Sequence, residues 1–120
     1  MSAWVQEIRA KAKNEERLLT AYGRPISTLA PDEAYKAVNY LIQGTAADLL
    51  IQMTLDVADE LDERFPTARL WLPIHDELVI ECDEENAERV REMLEARMAV
   101  DLDGVPIWGE AKVLGPVWTK

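Results

Sequence analysis

At 120 residues, 48% of them apolar, the chain can bury one modest core, so a single domain or part of one is expected rather than two. One cysteine, Cys82, excludes an internal disulfide, and one histidine leaves no cysteine and histidine cluster for a zinc site. The net charge of −10 argues against nucleic acid at first sight, since phosphate neutralisation by Lys and Arg supplies most non-specific affinity.

Ala3 to Leu18 is expected to be a helix, with Trp4, Ile8 and the alkyl stem of Lys11 at helical spacing and no Gly or Pro inside it. Leu18 to Tyr22 and Ile26 to Leu29 are expected as short extended segments around the turn Gly23-Arg24-Pro25. Pro31-Asp32-Glu33 is a helix start, because proline suits the first turn and acidic residues suit its positive end. A long helix to about Arg64 follows, with Ala34, Val38, Leu41, Ala46, Leu49, Met53, Val57 and Leu61 as one buried stripe and Pro66 closing it. Leu70 to Ile74 and Leu78 to Cys82 are apolar strand-like runs joined by His75-Asp76-Glu77, a hairpin with charges at its tip. Asp83 suits an N-cap for a helix from Glu84 to about Val100, amphipathic through Ala87, Val90, Met93, Leu94 and Met98. Asp101 to Gly104 reads as a turn and Val105 to Leu114 as a last extended segment. This order predicts an α+β fold in which helices cover one face of an antiparallel sheet.

The charge is unevenly spread. Residues 1–24 hold Arg9, Lys11, Lys13, Arg17 and Arg24 against Glu7, Glu15 and Glu16, a local balance of +2 that leaves −12 for the remainder. Any contact with DNA is therefore expected to use the N-terminal part or neutral polar groups, or to depend on a basic partner segment. Met1 to Arg17 is charged, unlike a signal peptide, and no run approaches the roughly 20 apolar residues needed to span a bilayer, so no membrane and a cytoplasmic location are expected.

His75-Asp76-Glu77 concentrates reactive groups where two apolar strands force a polar tip outward. Carboxylates on a rigid strand end can hold Mg²⁺, which prefers oxygen ligands shared with substrate phosphates. An acidic turn is also ordinary solvated structure, and the three residues alone leave both readings open. The two serines, Ser2 and Ser27, lack a nucleophile motif, as does Cys82, and a single histidine cannot supply a zincin-like pair.

On the long helix, Gly44 stands within Asn39-Tyr40-Leu41-Ile42-Gln43-Gly44-Thr45-Ala46-Ala47-Asp48. Glycine in a helix interior costs about 1 kcal/mol relative to alanine, so close approach of a neighbour is one explanation. Asn39 and Gln43 share a face with Ala47, and such amide donors suit a duplex minor groove, where every base pair presents an acceptor. Packing of a helix or strand against Gly44, Ala46 and Ala47 is the alternative.

The two stretches together resemble neighbouring signatures of family A, polymerase I type, DNA polymerases. N-Y-L-I-Q-G-T-A-A-D-L is similar to the family's N-x-P-x-Q-G-T-A-A-D, and P-I-H-D-E-L-V-I-E to its V-H-D-E-L-V-x-E. Leu18 to Arg24 resembles G-Y-x-x-T-x-x-G-R, and Gly115-Pro116-Val117-Trp118 resembles the family's G-x-x-W ending. The resemblance implies the C-terminal half of a polymerase palm, in which two Mg²⁺ ions on two aspartates activate the primer 3′-hydroxyl and stabilise triphosphate charge. Carried onto this sequence, Asp76 is one metal aspartate and Glu77 the adjacent supporting acid. His75 is the histidine beside the primer terminus. Asn39 and Gln43 touch the template-primer duplex, and Arg24 belongs to a hairpin approaching DNA.

Departures accompany the likeness. Tyr35 stands where the family has arginine, Pro73 where glutamine is common, Leu41 where proline is frequent, and Pro25-Ile26-Ser27 replace a run of arginines, a pattern resembling a divergent, phage-like branch. No D-Y-S-x-I-E-L-R with the other metal aspartate occurs, nor the R-x₃-K-x₇-Y-G that binds incoming nucleotide. The resemblance thus implies a chain inactive alone that completes a polymerase from another segment, from a split gene or a longer protein. Its implied partners are template-primer DNA, dNTP through the missing segments and the remaining polymerase chain. Self-association through exposed apolar surface is a further expectation. An inactive remnant or accessory module that binds DNA or a replication partner is the alternative function.

Overall fold

A computed structural model describes the chain except Met1, Glu15, Glu16, Ser27 to Leu29, Leu72, Pro73, His75, Asp103, Thr119 and Lys120. The described residues gather into two compact units, residues 1–51 and 52–120, each with a hydrophobic core of its own.

In the first unit, helix α1 (Ala3–Lys13) is capped by Ser2, whose hydroxyl accepts from the Val5 N–H at 3.3 Å. It is shorter than the sequence suggests. The Asn14 N–H closes the last turn on the Ala10 carbonyl, and Leu18 lies in strand β1 (Leu18–Leu19), which pairs antiparallel with β2 (Pro25–Ile26). The buried face of α1 is Ile8 and Ala12, while Trp4 is exposed. The expected second extended segment is described only at its start, since Ser27 to Leu29 lie outside the described residues.

Pro31–Lys36 forms a 3₁₀ turn with Asp32 and Glu33 at its start, and the Lys36 ammonium donates to Glu33 at 2.7 Å. It leads into the 28-residue helix α2 (Ala37–Arg64). Ile8, Ala12, Leu18, Ala34, Ala37 and Leu41 make the first core, with Ile26 and Val38 packed on it. On the expected stripe, Leu41, Leu49, Met53, Val57 and Leu61 are buried, but Ala46 is exposed. The buried positions from Leu49 onward repeat every four residues, and Ala46 stands off that row by three, on the flank.

In the second unit, α2 ends at Arg64 as Pro66 requires, and the turn closes through Ala68 N–H on the Phe65 carbonyl at 2.9 Å. Strands β3 (Arg69–Leu70) and β4 (Ile80–Glu81) pair Arg69 with Glu81 and Leu70 with Ile80. Asp83 occupies the N-cap position of a 3₁₀ turn (Glu84–Asn86) without capping it, because its carboxylate accepts instead from the Thr67 hydroxyl at 2.7 Å. Helix α3 (Ala87–Arg97) stops before Val100, which belongs to a hairpin of β5 (Val100–Leu102) and β6 (Val105–Ile107). A turn and a single extended segment were expected there. Val57, Leu61, Phe65, Val90 and Met93 form the second core, flanked by Leu70, Leu78, Ile80 and Cys82.

The class is α+β. Among the described residues, however, the strands make three separate two-stranded sheets rather than one sheet, because each hairpin pairs only with itself. No helix among them is long and apolar enough to cross a membrane.

Candidate nucleic-acid interface and carboxylate turn

In the first unit the β1–β2 hairpin is fixed to one turn of α2 by polar groups. The turn needs Gly23 at φ +79°, a conformation other residues adopt at a cost, and it closes with Thr20 N–H on the Arg24 carbonyl at 2.9 Å. Thr20 is buried, and its hydroxyl is used fully. It donates to Asp48 Oδ2 at 2.7 Å and accepts from the Arg24 and Tyr22 N–H groups at 3.2 and 3.3 Å. Arg24 reaches the same helix turn, its Nε donating to Asp48 Oδ1 at 2.7 Å and its Nη2 to the Gly44 carbonyl at 3.4 Å. The Ala21 N–H donates to Thr45 Oγ1 at 3.1 Å.

Asp48 is thus the hub. Its side chain is only 12% exposed, and the Thr20 hydroxyl, followed by the Arg24 guanidinium, holds its carboxyl below the usual carboxylate range. Gly44 admits this arrangement. A Cβ there would lie 3.2 Å from Thr20 Cγ2 and 3.3 Å from Arg24 Nη2, so close packing of the hairpin explains the glycine. Ala46 and Ala47 are exposed and take no part in that packing.

Arg24, Pro25, Ile26, Tyr40, Gln43 and Gly44 line an open depression of about 410 Å³. Two of the expected duplex-contacting residues, Arg24 and Gln43, therefore meet in one place. Asn39 is exposed one helical turn before Gln43 and is not among the lining residues. Tyr35, which stands in place of the family's arginine, is also exposed.

Asp76 and Glu77 belong to the second unit. The Ile74 N–H donates to the Glu77 carbonyl at 3.0 Å and the Glu77 N–H returns to the Ile74 carbonyl at 2.9 Å, while the Trp71 N–H bonds the Val79 carbonyl. These bonds narrow the hairpin to a tip on which both carboxylates are exposed. His75 lies outside the described residues. Asp76 offers the oxygen donors that suit Mg²⁺. Among the described residues no group of three or more His, Cys, Asp or Glu gathers to hold a metal, so the donor type fits such an ion and the donor number fits only part of a site.

The residues that sequence reasoning left without a role are Thr20, Thr45 and Asp48. A signal for Asp48 was present: it is the single charged residue between Ala37 and Leu55, and an isolated carboxylate on an otherwise uncharged stretch calls for a partner.

The sequence model described as DNA polymerase family A matches residues 1–120. DNA polymerase I of Aquifex aeolicus is 40% identical over 114 residues, covering 92% of this chain and 19% of the relative. DNA polymerase I of Pseudomonas aeruginosa is 33% identical over 129 residues, with 98% and 14% covered. DNA polymerase DpoZ of Salmonella phage PMBT28 is 33% identical over 109 residues, with 89% and 17% covered. The chain therefore spans less than a fifth of the length of these curated relatives, and it belongs to DNA polymerase family A.

Proposed function

We propose that these 120 residues form the C-terminal palm segment of a DNA-directed DNA polymerase. In this reading the segment supplies one metal-binding aspartate, Asp76, and contacts to the template-primer duplex from Arg24, Asn39 and Gln43. The observation that carries the reading is the docked hairpin of the first unit, where Arg24 and Gln43 line one depression in a chain of this family. A guanidinium suits a phosphate oxygen, and an exposed glutamine amide suits the acceptors shared by all base pairs in the minor groove.

Mg²⁺ bound at Asp76 would neutralise charge on the reacting phosphates. The residues of this chain do the rest of their work by position. The Ile74–Glu77 pairing closes the turn that carries Asp76, and Glu77 adds negative potential beside it. His75 serves the primer terminus. The second metal aspartate and the dNTP-binding residues come from polypeptide outside these 120 residues, and the enzyme works in the cytoplasm.

The exposed Trp71, Trp108, Val117 and Trp118 suit burial against that remaining polymerase polypeptide, with self-association as their fate when it is absent. The experiment is complementation. The chain is mixed with a family A fragment carrying the other aspartate and the nucleotide-binding helix, and primer extension is measured. Extension by the mixture and by neither part alone supports the reading; no extension at any ratio, with both parts folded, contradicts it.

A further inference from the structure

We propose that Asp48 is a positioning residue for DNA binding: it presents the end of the Arg24 guanidinium to a backbone phosphate of the duplex. This rests on the proposed duplex contacts and adds a residue to them. The guanidinium engages α2 with its Nε and Nη2, which share one edge, at 2.7 Å from Asp48 Oδ1 and 3.4 Å from the Gly44 carbonyl. Nη1, at the far end, has no partner among the described residues, and the Arg24 side chain remains 52% exposed. Planar guanidinium donors form a fixed fork, so seating one edge determines where the other points.

Asp48 is itself immobilised. Its second oxygen accepts from the buried Thr20 hydroxyl, and that hydroxyl also receives the Arg24 backbone N–H, so backbone and side chain of Arg24 are tied to one hub. Fixing a long side chain before binding removes the entropy of ordering it at the interface. The depression that Arg24 shares with Gln43 then brings a phosphate donor beside a groove donor.

Charge counting and positioning predict opposite signs for one substitution, which makes the test sharp. Asp48→Asn reduces the net charge from −10 to −9, and electrostatics alone would strengthen binding to a polyanion. Positioning requires it to weaken.

The full 120-residue chain is titrated into a fluorescent primer-template duplex over a range of salt concentrations, with Asp48→Asn, Arg24→Ala, their double variant and Thr20→Val alongside. Expected are a roughly tenfold loss for Arg24→Ala with a salt slope lower by about one, and a similar loss and slope change for Asp48→Asn. The double variant should be no weaker than Arg24→Ala, and Thr20→Val, which leaves the charge unchanged, should be weakened in the same direction.

Helical circular dichroism establishes that each variant is folded, and in the variants that keep Arg24 its Nε–H resonance reports whether the guanidinium is still seated. A variant that merely loses folded protein lowers the binding-competent fraction without changing the salt slope. Tighter or unchanged binding by Asp48→Asn, with Arg24→Ala weakened, overturns the positioning role and leaves the duplex contact standing. The same titration is run with the complementing family A fragment present, and no binding by the unsubstituted chain in either form overturns both.

Discussion

Gly44 and Thr20 are in near contact: a methyl group added to Gly44 would come within 3.2 Å of Thr20 Cγ2. Thr20 cannot yield freely, since its hydroxyl is bonded to Asp48 and to two backbone N–H groups of its own turn. Alanine at this position gains about 1 kcal/mol of helix propensity. It must also displace Thr20 and the Arg24 guanidinium, straining charge-assisted hydrogen bonds that are stronger than neutral ones and steeply dependent on geometry. Gly44→Ala is therefore expected to destabilise the first unit modestly, by about 1 kcal/mol net on the scale of ordinary substitutions, and Gly44→Val by more, in urea unfolding followed by circular dichroism. A stabilised Gly44→Ala would mean that the hairpin shifts without loss.

Acid should loosen the chain at named places. Asp48 is held below its ordinary range first by the Thr20 hydroxyl and then by Arg24; Glu60 by Arg97 and then Arg64; Glu95 by the Ala111 N–H and then Arg91. A carboxyl depressed in the folded state contributes stability that is present above its unfolded value, about 4, and is lost as pH falls through the lower folded value. Urea midpoints should be flat above about pH 5 and decline below about pH 4. Asp48→Asn and Glu60→Gln should each be less stable at neutral pH and show a shallower acid decline. An unchanged acid slope in both would contradict the assignment of these carboxylates.

Burial separates two apolar side chains of α2. Val57 is fully buried in the second core, whereas Leu55 is 55% exposed. Val57→Ala should cost about 2 kcal/mol, the order expected for removing buried methyl groups. Leu55→Ala should change stability by less than about 0.5 kcal/mol. Equal losses for the two would contradict the orientation of the helix.

What the sequence made legible follows from periodicity. The stop of α2 at Arg64, the buried row Leu49, Met53, Val57 and Leu61, and the Ile74–Glu77 tip all follow from spacing and from Pro66. The misjudged elements are those where tertiary bonds outweigh local pattern. Leu18 fits the end of a helix by composition but pairs with Ile26; Asp83 fits a cap but is taken by Thr67; Val100 to Leu102 fit a helix end and turn but pair with Val105 to Ile107. The hub at Asp48 was hidden for the same reason. Its partners Thr20 and Arg24 lie 28 and 24 residues away, beyond any local signal.

The groove contact proposed for Gln43 is testable by substitution. Gln43 is exposed beside the Arg24 depression, and its amide can serve any base pair. Gln43→Ala should weaken duplex binding by a similar factor for different sequences and leave the salt slope unchanged. A sequence-dependent loss would instead indicate base reading.

Primer extension by the complemented polymerase with Asp76→Ala in this chain tests the central claim most directly. Expected is loss of extension by at least about a thousandfold with duplex binding retained, since a missing metal carboxylate removes transition-state charge stabilisation on the order of 4 kcal/mol or more. Extension at the unsubstituted rate by folded Asp76→Ala would contradict the assignment of the hairpin tip as part of the metal site.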